Sequence, residues 1–197
     1  MEEKLIAYFS RIMPLTTQEA ATIRASIVTR TCLKGEYLLK EGEIATECYF
    51  VLKGCVREYY IVDGEERTSN FFTEDDWIIP PGGLMIQVKS DKFFQCLEDT
   101  TLVIGNAARE QDMYEKSRKF ETMARMILEQ IVHDRQKLQA TDITDSPSQR
   151  YERLMATNPG LMQRVPLYQI ASYIGVKPES LSRIRKRITD KSRNNNA

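Results

Sequence analysis

The sequence has one histidine, His133, and four cysteines, Cys32, Cys48, Cys55 and Cys96, with no CxxC pair among them. Zinc sites draw on clustered cysteine and histidine, and iron–sulfur clusters on grouped thiolates, so no metal and no other cofactor is expected. The scattered thiols read as reduced and mostly buried. A nucleophile, base and orienter set is missing, His133 has no evident partner, and no phosphate-binding glycine loop of the usual pattern occurs, so the chain does not read as an enzyme. No apolar run reaches the roughly 18 residues that cross a bilayer. The N-terminal MEEKLIAYFSRIM lacks the apolar core and cleavage pattern of a secretory signal, so a cytoplasmic protein with no membrane partner is expected.

Charge of one sign is also lacking overall, yet the zero net charge hides an asymmetry. Residues 1–140 carry 18 Lys and Arg against 23 Asp and Glu, a balance of −5, and residues 141–197 carry 10 against 5, a balance of +5. A basic end on an acidic body suits a chain of which one part approaches phosphate while the rest stays in solvent. A solvated basic tail would show the same charges. With 197 residues, 42% of them hydrophobic, the chain can bury one core or two small ones.

The first 30 residues show only approximate helical spacing, at Ala21, Ile23, Ala25 and Ile27, with Thr16 and Glu19 placed as a capping box, and read as a short helical lead-in. From about 31 to 104 the pattern changes to short strands rich in β-branched and aromatic residues and punctuated by Gly35, Gly42, Gly54, Gly64, Gly82 and Gly83. Asp63-Gly64 is the sharpest turn signal, and strands near 55–62 and 66–73 should pair across it. Many short strands with glycine turns indicate a barrel, roll or sandwich. Residues 107–116 and 118–139 then read as helices. In the second, Phe120, Ala124, Ile127, Ile131, Asp134 and Leu138 recur at heptad spacing, with Met123 and Met126 widening the seam. The seam is assigned to a homodimer interface, although packing on the chain's own β domain would use the same side chains. Polar DITDSPSQ at 142–149 reads as a linker. Its Ser146-Pro147 pair begins another helix that turns Tyr151 and Leu154 inward, and a short connection through Asn158, Pro159 and Gly160 follows.

The most specific segment is RVPLYQIASYIGVKPESLSRIRKRI, residues 164–188. Leu167, Ile170, Ala171 and Ile174 give a first short helix one apolar face, Gly175 suits the corner, and Val176 can plug it. A second helix starts near Pro178, with Leu181, Ile184 and Ile188 inward. Glu179, Ser180, Ser182 and Arg183 are then the base-reading candidates of a helix that enters a DNA major groove. Arg183 can make a bidentate contact to guanine, and Glu179, one turn earlier, can accept from cytosine or orient the arginine. Tyr168, Gln169, Lys177, Arg185, Lys186 and Arg187 are candidates for contacts to the DNA backbone.

Together, KGEYLLKEGE at 34–43, YFVLKGCVREYY at 49–60, the DGEERTSNFF hairpin at 63–72, the long helix and QIASYIGVKPESLSRIRKRI at 169–188 resemble the Crp/Fnr superfamily, the regulators related to the cyclic-AMP receptor protein. A narrower resemblance is to the compact regulators of Bacteroidetes-type bacteria. The resemblance covers nearly the whole chain and implies an α+β architecture. An N-terminal cyclic-nucleotide-binding-like β-roll, a double-stranded β-helix of jelly-roll type, would span 1–116 with its flanking helices. A long dimerisation helix would span 117–140, and a C-terminal winged helix-turn-helix 141–197. It further implies double-stranded DNA and a second copy as partners, RNA polymerase as a candidate partner, and Glu179 and Arg183 in the family's recognition positions. Pro178 departs from the receptor, which has a contacting arginine there, so the receptor's operator preference does not carry over.

Relatives that bind a cyclic nucleotide hold its phosphate with backbone amides and an arginine, and its ribose with a glutamate. In the corresponding stretch, residues 76–95, Pro80 and Pro81 have no N–H to donate, a proline stands about where the ribose-binding glutamate is expected, and Asp91 stands about where the arginine is expected. Cyclic AMP is therefore not the expected effector. Arg57, Gly82, Gly83 and Lys89 remain as effector-pocket candidates, for an effector of unknown identity. Oxygen-sensing relatives carry a cysteine-rich N-terminal segment, and residues 1–31 hold no cysteine. The alternative is a cyclic-nucleotide-binding signalling module whose C-terminal helices bind a protein partner.

Overall fold

This computed structural model describes residues 2–84, 86 and 88–194. The chain divides into two compact units, Met1–Glu58 with Phe71–Gln136, and Tyr59–Asn70 with Lys137–Ala197.

The first unit opens with helices α1 (Glu2–Ile12) and α2 (Thr17–Ser26). The expected capping box starts α2: the Glu19 N–H donates to Thr16 Oγ1 at 3.2 Å, and the Thr16 N–H to the Glu19 carboxylate at 2.7 Å. Eight strands follow: β1 (Thr29–Cys32), β2 (Tyr37–Leu39), β3 (Cys48–Lys53), β4 (Val56–Val62), β5 (Glu65–Phe72), β6 (Trp77–Ile78), β7 (Phe93–Cys96) and β8 (Thr100–Gly105). They form two four-stranded sheets, in the orders β1-β8-β3-β6 and β2-β7-β4-β5. Period-two alternation sorts β3 between two cores. Tyr49 and Val51 turn inward onto Val56, Phe72, Phe94 and Leu102, whereas Phe50 and Leu52 turn outward onto Leu5, Tyr8 and Phe9. Burial on both faces is why CYFVLK reads as an almost unbroken apolar run. The β4–β5 hairpin turns at Asp63 and Gly64, with φ 54° and 77°, the paired positive angles of a tight two-residue hairpin loop.

Helices α3 (Ala107–Lys116) and α4 (Arg118–Thr144) follow the strands. The heptad seam of α4 has a different partner from the one expected. Phe120, Met123 and Ile127 are buried in the chain's own core with Ile6 and Ile23, and Ile131 packs at its margin, while Ala124 and Leu138 are half-buried. The cause is at the N-terminus, where α1 and α2 supply the apolar surface the seam needs. The apolar side chains that α4 leaves exposed are Met126, Leu128, Val132 and Ile143.

DITDSPSQ is helical at both ends and not a linker. α4 runs on to Thr144 and α5 (Pro147–Thr157) begins at once, with only Asp145 and Ser146 between them. Ser146 sits at ψ 158°, the extended backbone imposed on a residue before proline, and forms a capping box with Gln149. The second unit continues with α6 (Leu161–Arg164), α7 (Leu167–Ile174) and α8 (Pro178–Asn194). Its core gathers Tyr151, Leu154, Leu161, Val165, Ile170, Ala171, Ile174, Leu181 and Ile184. No strand follows α4 among the described residues, so the wing expected in 141–197 is absent there. Leu161 and Val165 are both buried and four apart, a helical period that makes the segment a turn of helix. The β-hairpin of this unit is instead the tip of β4–β5: the Thr68 N–H donates to Ser172 Oγ at 3.0 Å, and that hydroxyl donates to the Glu66 carbonyl at 2.9 Å. No helix is long and apolar enough to cross a membrane among the described residues.

Candidate nucleic-acid interface

The corner between α7 and α8 is built by Gly175. Its φ of 77° lies in the left-handed region. Its N–H donates to the Ser172 carbonyl at 3.2 Å and the Val176 N–H to the Ala171 carbonyl at 2.9 Å, the bond pair of a Schellman motif. A side chain there is strained by the backbone angle, and its Cβ would stand 3.4 Å from Arg150 Nη1. Gly175→Ala should lower unfolding stability by about 1–2 kcal/mol, read as a lower urea midpoint at unchanged slope. An unchanged midpoint would mean that the corner is not held as described.

From this corner α8 starts with Pro178 in its first turn, where the missing N–H costs no bond. Leu181 and Ile184 are buried and Ile188 is half-buried, which fixes the rotation of the helix and leaves Glu179, Ser182, Arg183, Lys186 and Arg187 exposed, with Ser180 and Arg185 half-buried. No ion pair ties Lys177, Arg183, Arg185 or Lys186 to a carboxylate among the described residues. Arg187 donates to the Ser148 hydroxyl. Two expected features of α7 differ. Leu167 is exposed instead of facing inward. Gln169, expected to reach a backbone phosphate, is 5% exposed, and its Nε2 donates to the hydroxyl of exposed Tyr168 at 3.2 Å. In the first turn of a short helix the inward stripe takes Gln169 with Ile170, and Leu167 falls outside it.

The roll interior differs more from expectation. Val56 belongs to the inner core, so by alternation Glu58 shares its face and Arg57 lies on the other. Arg57 is itself buried, 1% exposed. Glu58, 1% exposed, carries the charge on the inner face: Lys92 Nζ lies 3.5 Å from one carboxylate oxygen and Arg135 Nη1 3.5 Å from the other. Arg135 also covers the Phe72 ring, 5.6 Å from its centroid. The Gly83 N–H donates to the Pro80 carbonyl at 3.0 Å, so it is spent in a turn and not free to cradle an anion. Lys89 is exposed and bridges Ile44. A cavity of about 450 Å³ at the roll is lined by Pro80, Tyr49, Arg30, Glu47 and Phe94, among others, and by none of Arg57, Gly82, Gly83 or Lys89. Three of its polar groups are tied together: the Tyr49 hydroxyl donates to Glu47 at 2.9 Å, and Arg30 pairs with Glu47 at 3.3 Å, while Arg30 Nε is buried without a hydrogen-bond partner. Glu58 and Arg135 were not singled out from the sequence. The signal for Glu58 was its place two residues after Val56 in a strand.

None of the four cysteines is in a disulfide and all are buried, and burial pushes Cys48 and Cys96 up to about 12. No group of three or more His, Cys, Asp or Glu that could hold a metal is found among the described residues.

Residues 29–116 match the family described as cyclic nucleotide-binding domain. Among solved structures, the catabolite activator protein of Thermus thermophilus is 16% identical, with a TM-score of 0.56 over 94% of this chain and 88% of that one. The c-di-GMP-responsive global regulator CLP of Xanthomonas campestris is 15% identical, with a TM-score of 0.67 over 90% and 93%. FixK2 of Bradyrhizobium japonicum is 15% identical, with a TM-score of 0.62 over 84% and 86%. The fold is that of the Crp/Fnr regulators. Both parts of that fold are present, the cyclic-nucleotide-binding-like β domain and, beyond a long helix, the C-terminal helical bundle. None of these likenesses singles out the compact Bacteroidetes-type subgroup within the Crp/Fnr fold. No curated protein matches the sequence significantly.

Proposed function

We propose that the chain is a sequence-specific DNA-binding transcription regulator that acts as a homodimer on a palindromic operator, with α8 as its reading helix. One observation carries this: the exposed face of α8 presents Glu179, Ser182, Arg183 and Lys186 together, with neither cation in an ion pair among the described residues, on a helix whose other face is locked in the core. Unpaired arginine and lysine on a rigid helix are ready to meet base edges and phosphates without first breaking an ion pair. Ser180 adds a shorter group to the base-reading set. Tyr168, Lys177, Arg185 and Arg187 flank it as backbone contacts. RNA polymerase is a further candidate partner of such a regulator.

The second copy seats on the face of α4 that carries Leu128 and Val132, which are 48% and 54% exposed and one turn apart. Two chains joined there would set two reading helices on one face of a duplex, about 34 Å apart. The effector, if the roll takes one, is not a cyclic nucleotide: Pro80 lines the cavity without an N–H to offer, and Lys92 and Arg135 are already held by the buried Glu58. The match of residues 29–116 favours a second reading, a cyclic-nucleotide-binding module whose C-terminal helices dock on protein.

Two titrations separate these readings. A labelled pool of random duplex DNA should be bound with an affinity that falls steeply with salt, because phosphate contacts release counterions. Cyclic AMP and cyclic GMP should give no binding heat. Tight nucleotide binding without DNA binding would establish the signalling module instead.

A further inference from the structure

Apart from the roll interior and the reading helix, the first unit contains an apolar cavity of about 190 Å³ against the outer face of β3 and β8, under α2, α3 and α4. Phe9, Ile23, Ile27, Trp77 and Met123 contribute to its wall. Polar groups in its lining include Glu110 and Tyr114 of α3, one turn apart, Cys48 of β3, whose thiol faces Glu110 Oε1 at 3.9 Å, the Trp77 indole N–H, and Ser26, whose hydroxyl donates to the Ile23 carbonyl at 2.7 Å. Arg109 also lines the cavity, but its guanidinium donates to the Ile104 carbonyl at 3.4 Å. Glu110 thus lies against an apolar wall with no ion pair to a basic side chain among the described residues. Its two neighbours, a thiol and a phenol, can give hydrogen bonds but no opposite charge. Burial dominates the titration of all three groups, raising Glu110 from the usual carboxylate range, Cys48 to about 12 and Tyr114 to about 12.

A half-buried carboxylate without a cation is costly, and in a folded chain the cost is normally removed by a basic side chain. Here that place is empty and opens onto a space shaped for an apolar body. We propose that the cavity is a binding site for a small organic cation, an aliphatic or aromatic body ending in a protonated amine, with the ammonium on Glu110. An ammonium supplies both the missing charge and the missing donors. A fatty acid would set carboxylate against carboxylate, and a neutral apolar molecule would leave Glu110 as it is. The volume sets an upper bound on size, below that of most pockets for drug-sized ligands. The rings of Trp77 and Tyr114 add faces that attract a cation.

Trp77 is the one tryptophan of the chain and lies in the wall, so its emission reports occupancy. The test is a fluorescence titration of the full chain with 4-phenylbutylamine and with its neutral counterpart 4-phenylbutan-1-ol, on the native protein and on Glu110→Gln. The amine should give a saturable change and bind at least about tenfold more tightly than the alcohol. Glu110→Gln should abolish that preference while keeping the native thermal transition, since it removes a buried charge and no packing. Absence of a saturable response to the amine, equal affinity for amine and alcohol, or a preference that survives in a folded Glu110→Gln chain would each overturn the proposal. None of these outcomes depends on whether α8 reads DNA.

Discussion

A chain carrying Leu128→Asp and Val132→Asp should remain folded, sediment as a monomer, and lose about a hundredfold or more in affinity for an operator of two half-sites. Both side chains are exposed on α4, so the aspartates disturb no core of the single chain. In a two-chain complex they would set four carboxylates against an apolar seam, where desolvation and like-charge repulsion act together. The affinity loss follows because two joined reading heads bind with an effective concentration that a single head lacks. The control is Phe120→Ala. Phe120 belongs to the heptad pattern but is buried with Ile6 and Ile23, so this change should cost about 3–5 kcal/mol of folding stability. If the aspartate pair left a stable dimer, or if Phe120→Ala dissociated a dimer without destabilising the fold, the two faces of α4 would be wrongly assigned.

Arg183→Ala should weaken binding to a preferred operator by about 1–3 kcal/mol and flatten the preference at one base position of each half-site. Arg183 is exposed, without an ion pair among the described residues, and one helical turn after Glu179 on the same face of α8. Its planar guanidinium can make two parallel bonds to one guanine, which a lysine cannot reproduce. Lys186→Gln serves as the comparison: a phosphate contact should be lost about equally on every sequence, lowering the salt slope by about one. Binding to varied half-sites by fluorescence anisotropy at fixed salt checks both. If Arg183→Ala lost the same affinity on every sequence, it would be a phosphate contact and base reading would lie elsewhere on α8.

The elements most legible in the sequence were those fixed by local chemistry. Asp63-Gly64, the Thr16–Glu19 capping box, Ser146-Pro147 and Gly175 act within a few residues of themselves, and each is found in the role its chemistry implies. The rotation of α8 was legible as well, because Leu181 and Ile184 are apolar at helical spacing on an otherwise polar helix. What was not legible depended on partners far away in the chain. The α4 heptads announce an apolar seam but cannot say whose surface it meets, and the answer lay in α1 and α2, more than 90 residues earlier. Leu128 and Val132 were present as an apolar pair one turn apart, overshadowed by the longer pattern beside them. In β4, Arg57 drew notice as the cation, but a one-residue difference in facing hands the roll interior to Glu58 instead. The wing was expected from resemblance alone, and the segment between α5 and α7 carries a helical period that argued against it.

The most direct test of the central claim is selection of bound duplexes from a random pool by the purified chain, at a stated salt concentration and without added ligand. Recovery of an inverted repeat whose half-sites are centred about one helical turn apart is the predicted result. Recovery of no enriched sequence, both without ligand and in the presence of cell extract, would contradict it.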